Sequence, residues 1–209
     1  MNEGEPVFTT DWFESTARPV WDLFIPRLEA TRALEVGSYE GASACYLINA
    51  LGAKAPLEMY CIDTWEGRAE FEAAGIHMGE VEARFHRNTR IAVDKSAFPV
   101  TLEVHKGHSD ACLARLLAEK QKGYFDLIYI DGSHTACDVL SDAVLGFHLL
   151  RRSGVMVFDD YLWHEGPEGS KNPALCPKLA IDAFINCNFH KLRIISAPLY
   201  QIYLQKLQD

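Results

Sequence analysis

The residues best equipped for chemistry stand in two short segments, Ile130-Asp131-Gly132-Ser133-His134 and Phe158-Asp159-Asp160-Tyr161. Each closes an apolar run that reads as a buried strand. Parallel neighbours would bring Asp131, Asp159 and Asp160 to one edge of a sheet. Six aspartates and only two arginines fall between residues 126 and 160. Crowded carboxylates raise one another's pKa unless a cation neutralises them. A hard divalent ion with oxygen ligands, Mg2+, is the simplest relief, and these three aspartates are its expected ligands. The plainer reading is that Asp159 or Asp160 caps a turn while one acid does the chemistry. Histidine, with an ordinary pKa of about 6.5, suits a general base at neutral pH. His134 lies three residues past Asp131, which makes these two the catalytic candidates.

A second group surrounds the turn Glu35-Val36-Gly37-Ser38-Tyr39-Glu40-Gly41-Ala42-Ser43. Gly37 permits a tight turn, and Gly41 lets a helix start close to the strand and to a ligand. A dinucleotide site would want G-x-G-x-x-G with a pyrophosphate on the helix N-terminus. Here Glu40 sits inside the loop and would oppose a pyrophosphate, so Glu35 and Glu40 favour a ligand carrying positive charge. Asp63, followed by Thr64 and Trp65, lies twenty-two residues after Gly41. That is near the spacing of about twenty at which an acid meets ribose hydroxyls. Trp65 could then pack beside a purine, or simply lie in the core. Gly107-His108-Ser109 opens a helix. Ser109 is either its N-cap or, with His108, a contact to an adenine edge.

The elements that must place these residues alternate between two periods. Strands are expected at Ala33–Val36, Met59–Asp63, Val100–Val104, Phe125–Ile130, Val155–Phe158, Leu192–Ile195 and Leu199–Leu204. Amphipathic helices fill the gaps. The clearest runs from Ala136 to Leu150, with a capping box at Thr135 and Asp138, and with Gly154, Arg151 and Arg152 at its far end. The fold class is therefore α/β, a doubly wound, mostly parallel seven-stranded sheet with helices on both faces. Ile195 and Leu199 leave no room for a crossover, so the last two strands form an antiparallel hairpin. Residues 66–79 and 164–174 are polar, irregular and follow strands, as lids over a site would. Residues 1–209 read as a single domain, with 1–30 a helical segment in which Trp21, Phe24 and Leu28 share a face and Pro26 divides the run. That segment covers either the protein's own sheet or a second copy, leaving a homo-oligomer open.

Composition bounds the partners. The chain has 209 residues, 48% hydrophobic and 23% charged, and a formal net charge of −9. That length is ample for a core. No apolar run reaches the roughly 18 residues of a membrane span, and the acidic start MNEGEPVFTTDW lacks the features of a secretory signal. The acidic balance argues against nucleic acid. The six cysteines follow no zinc spacing and read as reduced thiols of a cytoplasmic protein.

Taken together, these segments resemble class I S-adenosylmethionine-dependent methyltransferases. LEVGSYEGASACYL resembles the family's first motif, YCIDTWEG its second-strand acid, and FDLIYIDGSHTACDVLSDAVLGFHLLRRSGVMVFDDY its fourth and fifth strand region. The DGSH and FDDY segments resemble methyltransferase family 24, akin to macrocin-type and catechol-type O-methyltransferases. The resemblance implies a Rossmann-like fold and methyl transfer to a small-molecule hydroxyl or diol, assisted by Mg2+. It implies that Glu35, Gly37, Ser38, Tyr39, Gly41 and Ser43 surround the methionine part of the cofactor. Asp63 and Thr64 would meet the ribose, with Trp65, His108 and Ser109 near the adenine. Asp131 would face the sulfonium, His134 would be a further cofactor contact, and Asp131, Asp159 and Asp160 would hold the metal. His134 stands where catechol-type enzymes keep a lysine base, and Tyr39 replaces a usual glycine. The alternatives are a metal-independent methyltransferase and a cofactor-binding protein without transfer.

Overall fold

The computed structural model describes residues 4–67, 75–164, 166 and 172–209. Seven strands form one sheet: β1 (Arg32–Val36), β2 (Leu57–Asp63), β3 (Val100–Lys106), β4 (Phe125–Ile130), β5 (Leu150–Phe158), β6 (Leu192–Ile195) and β7 (Ile202–Lys206). Their spatial order is β3-β2-β1-β4-β5-β7-β6. The first five are parallel, while β7 runs antiparallel to both β5 and β6. This is the doubly wound sheet and terminal hairpin expected from the sequence. The order reverses between β1 and β4, which opens a crevice at their carboxyl ends.

Helices α1 (Trp12–Ser15), α2 (Arg18–Phe24), α3 (Ala42–Gly52), α4 (Met78–Lys95), α5 (Ser109–Lys120), α6 (Ala136–Leu149) and α7 (Pro177–Cys187) cover the sheet. Successive strand residues point to opposite faces, so the sheet feeds two cores. Leu34, Ile128 and Met156 meet α5, α6 and α7 through Leu113, Val139 and Phe184. Ala33, Leu127 and Val157 meet α2, α3 and α4 through Trp21, Leu47 and Phe85. The N-terminal helices thus cover the protein's own sheet. Pro19 lies in the first turn of α2, and Pro26 sits in a 3-10 turn that ends it.

Four local readings need correction. Helix α6 stops at Leu149, and Gly154 lies within β5, whose pairing with β4 slips between Phe125 and Leu127. The cation that closes α6 is not Arg151 or Arg152. The buried Lys206 ammonium, on β7, donates to the carbonyls of Phe147 and Leu150 at 3.0 and 2.8 Å, where the helix dipole favours positive charge. Arg151 instead pairs with Asp126. The capping box does not form either, because the Asp138 carboxylate accepts from Ser133 Oγ at 2.9 Å. The last strand starts at Ile202 rather than Leu199.

None of the described helices is long and apolar enough to cross a membrane. All six cysteines are free, with Cys137 and Cys187 exposed and the other four buried. The expected lids at 66–79 and 164–174 lie partly outside the described residues. Within the first, α4 already begins at Met78.

Candidate active site

A cavity of about 500 Å3 opens at the carboxyl ends of β1, β2, β4 and β5. Gly37, Ser38, Tyr39, Ser43, Asp63 and Thr64 line one side, and Asp131, His134, Asp159 and Asp160 the other. Most of the sequence-derived site therefore converges on one space.

The turn after β1 fits there because Gly37 has no side chain. Its φ is +86°, and a Cβ would stand 2.1 Å from the carbonyl oxygen of Asp131. Gly41, at φ +81°, serves a different approach, since a Cβ there would lie 2.9 Å from the Phe85 ring. It lets α3 start against α4 and does not line the cavity. Asp63 holds the turn from β2. Its Oδ2 accepts the amides of Ser38 and Tyr39 at 2.8 and 2.9 Å, and its Oδ1 accepts the amide of Trp65 at 2.8 Å. Tyr39 itself sits at φ +46°, the left-handed conformation a glycine would enter without strain.

Glu35 lies wholly buried behind this turn, outside the cavity lining. Ser38 Oγ and Ser43 Oγ donate to it at 2.6 and 2.5 Å. Burial pushes its carboxyl up to about 7, the two hydroxyls pull it back, and the charge of Asp63 adds to the rise. Glu40 is also satisfied within the protein. It pairs with Arg84 at 2.5 Å and accepts from Thr9 N and Thr9 Oγ1 at 2.6 and 2.7 Å. It is a structural anchor, not a carboxylate awaiting a cationic ligand.

The adenine-side expectations fare differently. Trp65 packs in the core against Phe85 and donates its Nε1 hydrogen to the carbonyl of Tyr39 at 3.0 Å. It supports the turn from behind and does not line the cavity. Ser109 is the first residue of α5 and His108 its exposed cap position, 3.7 Å from Glu66. Neither lines the cavity.

On the other side, β4 and β5 pair in register through Ile130 and Phe158, so Asp131 and Asp159 leave the sheet side by side. The Tyr129 hydroxyl lies between them, 2.9 Å from Asp131 Oδ2 and in hydrogen-bond contact with Asp159 Oδ2. A phenol carries one proton, so it donates to one carboxyl and accepts from the other when that one is protonated. Burial, followed by the charges of Asp159 and Asp160, pushes Asp131 well above the usual carboxylate range. Burial and the charge of Asp160 raise Asp159 to about 6. One retained proton would satisfy every contact. Asp160, at φ +55°, turns away from the pair. Its Oδ2 lies 2.8 Å from His134 Nε2, and its Oδ1 accepts from the Tyr200 hydroxyl at 2.9 Å. Trp163 packs on His134 at a tilt of 41°, with 3.7 Å between ring centroids.

The donor set on this edge is all oxygen, as Mg2+ would require. Its lone pairs, however, are directed at protein donors. Asp159 accepts from Tyr129, from Gln201 Nε2 at 3.0 Å and from the amide of Asp160 at 2.8 Å. Asp160 is taken by His134 and Tyr200. Among the described residues no three His, Cys, Asp or Glu side chains are placed to hold a metal ion. The arrangement does not fit the expected three-aspartate Mg2+ site. The acids reach one edge and then turn toward different partners. The cavity does fit a cationic cofactor with hydroxyls. Besides Glu40, which Arg84 already neutralises, its described lining holds Asp63, Asp131, Asp159 and Asp160 and neither lysine nor arginine.

Sequence reasoning missed the N-terminal arm. Phe8, Thr10, Trp12 and Phe13 line the cavity from above. The arm is tied down by the Thr9 bonds to Glu40 and by Val7, whose N–H and C=O both pair with the Asn88 amide at 2.9 and 2.8 Å. Trp12 packs on Tyr39 with centroids 5.1 Å apart. An apolar residue before the first helix was the only available signal, and it does not say which way the arm folds.

Residues 34–161 match the model of methyltransferase family 24, described as a methyltransferase domain. The match spans more than half of the chain. The protein belongs to this family. It is thus an S-adenosylmethionine-dependent methyltransferase with the Rossmann-like fold of its class. Among solved structures, this methyltransferase is similar to an O-methyltransferase from Bacillus cereus in complex with SAH. The two share 18% identity and a TM-score of 0.59, over 93% of this chain and 81% of that one. A putative O-methyltransferase from Klebsiella pneumoniae gives 17% and 0.59, over 99% and 85%. MycE, a methyltransferase from the mycinamycin biosynthetic pathway in complex with Mg and SAH, gives 15% and 0.56, over 97% and 51%. At these identities the fold is what the chains share. No curated protein matches the sequence.

Proposed function

We propose that this methyltransferase moves a methyl group from S-adenosylmethionine to a hydroxyl of a small molecule. The observation that carries the reading is the cavity itself, which joins the glycine turn and Asp63 to the His134–Asp160 pair without a break. S-adenosylmethionine, when bound, supplies a methyl group on a cationic sulfonium. Gly37, Ser38, Tyr39 and Ser43 would surround its amino-acid end, and Asp63 and Thr64 its ribose. Asp131 would face the positive charge.

The chain's own residues do the rest. The arm bearing Phe8 and Trp12, with Trp163 and Tyr200 opposite, gives the acceptor aromatic walls and displaces water. His134 takes the acceptor proton at a ring nitrogen, and Asp160, bonded to Nε2, orients the ring. Alignment within such walls supplies the proximity that an in-line displacement needs. Asp131, held by Tyr129, is the other group in reach of that proton. Mg2+ assistance has the support of the oxygen-only donor set and of the ion in MycE. The side-chain directions favour the metal-independent form, and no step above passes through an ion.

Calorimetric titration with S-adenosylmethionine and with S-adenosylhomocysteine tests the cofactor assignment, and binding of neither would end it. Radiolabelled methyl transfer across phenols, catechols and sugar hydroxyls tests the reaction. Tight cofactor binding with no transfer to any acceptor would leave a binding protein instead.

A further inference from the structure

We propose that the Tyr129 hydroxyl joins the Asp131 and Asp159 carboxyls in the place a bridging cation would take, so that Tyr129 is a positioning residue of a metal-independent site. The inference rests on the reading of this cavity as a methyl-transfer site, and it goes beyond that reading in saying what holds the acids.

Three observations support it. Tyr129 is a buried residue of β4 whose ring packs edge-on against Trp21, with centroids 4.8 Å apart. Its hydroxyl therefore cannot swing out of the gap without disturbing the core. Second, Asp159 is held from the far side as well. Gln201, itself buried, donates to Asp159 while its own Oε1 accepts from Trp21 Nε1 at 3.0 Å and from the Tyr203 hydroxyl. Trp21, Gln201, Asp159 and Tyr129 thus form a relay of hydrogen bonds inside the protein, as buried polar groups require. Third, Asp160, the remaining expected ligand, is bonded to His134 and Tyr200. An ion between Asp131 and Asp159 would have to displace the phenol and compete with Gln201 Nε2 for Asp159 Oδ2, leaving a buried hydroxyl without its acceptors.

The role differs from plain packing in what its loss would create. Without the hydroxyl, two buried carboxyls face each other with a donor removed, and a divalent ion becomes their best remaining partner. The experiment is a Mn2+ titration followed by electron paramagnetic resonance, on wild-type protein and on Tyr129→Phe, each with and without S-adenosylhomocysteine. Wild-type protein should show no bound Mn2+ in either state, and its affinity for S-adenosylhomocysteine should be the same in Mg2+ as in EDTA. Tyr129→Phe should gain one Mn2+ site at least about tenfold tighter than any in the wild type. Asp159→Asn in that background should remove the gain. Stoichiometric Mn2+ on the wild type would overturn the proposal, and that arm needs no variant to fold. A Tyr129→Phe protein that keeps cofactor affinity yet gains no Mn2+ would also overturn it. Failure of S-adenosylhomocysteine to bind strikes the functional reading instead, and the cofactor-free Mn2+ arm is read separately from it.

Discussion

The two sides of the cavity treat their carboxylates in opposite ways. Around β1 and β2, Glu35 and Asp63 receive donors that cannot leave: two serine hydroxyls for the first and three backbone amides for the second. Around β4 and β5, Asp131 and Asp159 share one phenol, and Asp160 bonds directly to the His134 imidazole. The first side is a cradle whose hydrogen-bond donors are fixed by the fold. The second has protons that can be exchanged. A site that binds a cation and then removes a proton from a neutral acceptor needs one side of each kind.

The sharpest way to break this contrast is on the exchanging side. His134→Ala should lower methyl transfer by about 10^2- to 10^4-fold, the usual worth of a positioned base. Affinity for S-adenosylhomocysteine, measured by calorimetry, should change little. If binding fell as far as turnover, the histidine would belong to the cradle.

On the fixed side, Asp63→Ala leaves the amides of Ser38, Tyr39 and Trp65 without their acceptor. Cofactor affinity should drop by about 100-fold or more, and thermal stability should fall too, since a buried amide without a partner costs about 1–3 kcal/mol. Denaturant melts alongside calorimetry separate the two effects.

The pH dependence of stability probes the cradle more gently. The folded pKa of Glu35, about 7, lies above its ordinary 4.5. The folded state therefore holds a proton that the unfolded state releases, and stability falls as pH rises from about 4.5 to about 7, then levels. With one pKa unit worth about 1.36 kcal/mol, the loss is on the order of 3 kcal/mol. Glu35→Gln should flatten much of that slope in melts of the cofactor-free protein. Asp131 and Asp159 contribute a remainder of the same sign. An unchanged slope would mean that the carboxylate is ionised in the fold throughout.

The smallest effect concerns the arm above both sides. Glu40→Gln removes the charge that holds Arg84 and weakens the Thr9 contacts. Stability should drop by about 1–2 kcal/mol. Protease cleavage near residues 4–12 should quicken, with cofactor affinity nearly unaltered.

Much of this arrangement can be read from the chain, and the exceptions share a cause. The strands, the hairpin and the meeting of Asp131, Asp159 and Asp160 at one edge follow from period and punctuation. What one sequence does not carry is the direction of a side chain whose partner is distant. Trp65 after β2 reads equally as a ligand contact or as core, and only Phe85 and the Tyr39 carbonyl decide it. Glu40 reads as a ligand carboxylate until Arg84, forty-four positions away, claims it. Tyr129 reads as one more apolar strand residue. The Mg2+ expectation rested on position along the chain, which does not say that Asp159 and Asp160 are bonded to Tyr129, Gln201, His134 and Tyr200. Arg151 and Arg152 read as the cations at the end of α6, yet Lys206, about sixty positions along the chain, closes it from within.

The bond between Trp21 and Gln201 spans 180 positions. Through Gln201 it reaches Asp159, so the surroundings of that acid depend on two segments from opposite ends of the chain. Closing so long a loop is entropically costly before any contact rewards it. A partly folded chain could already own its glycine turn and its first three strands, and so trap a cofactor. It would still lack the fixed carboxyl pair. Competence for chemistry should then appear in refolding only with the final, slowest phase, after cofactor binding has returned.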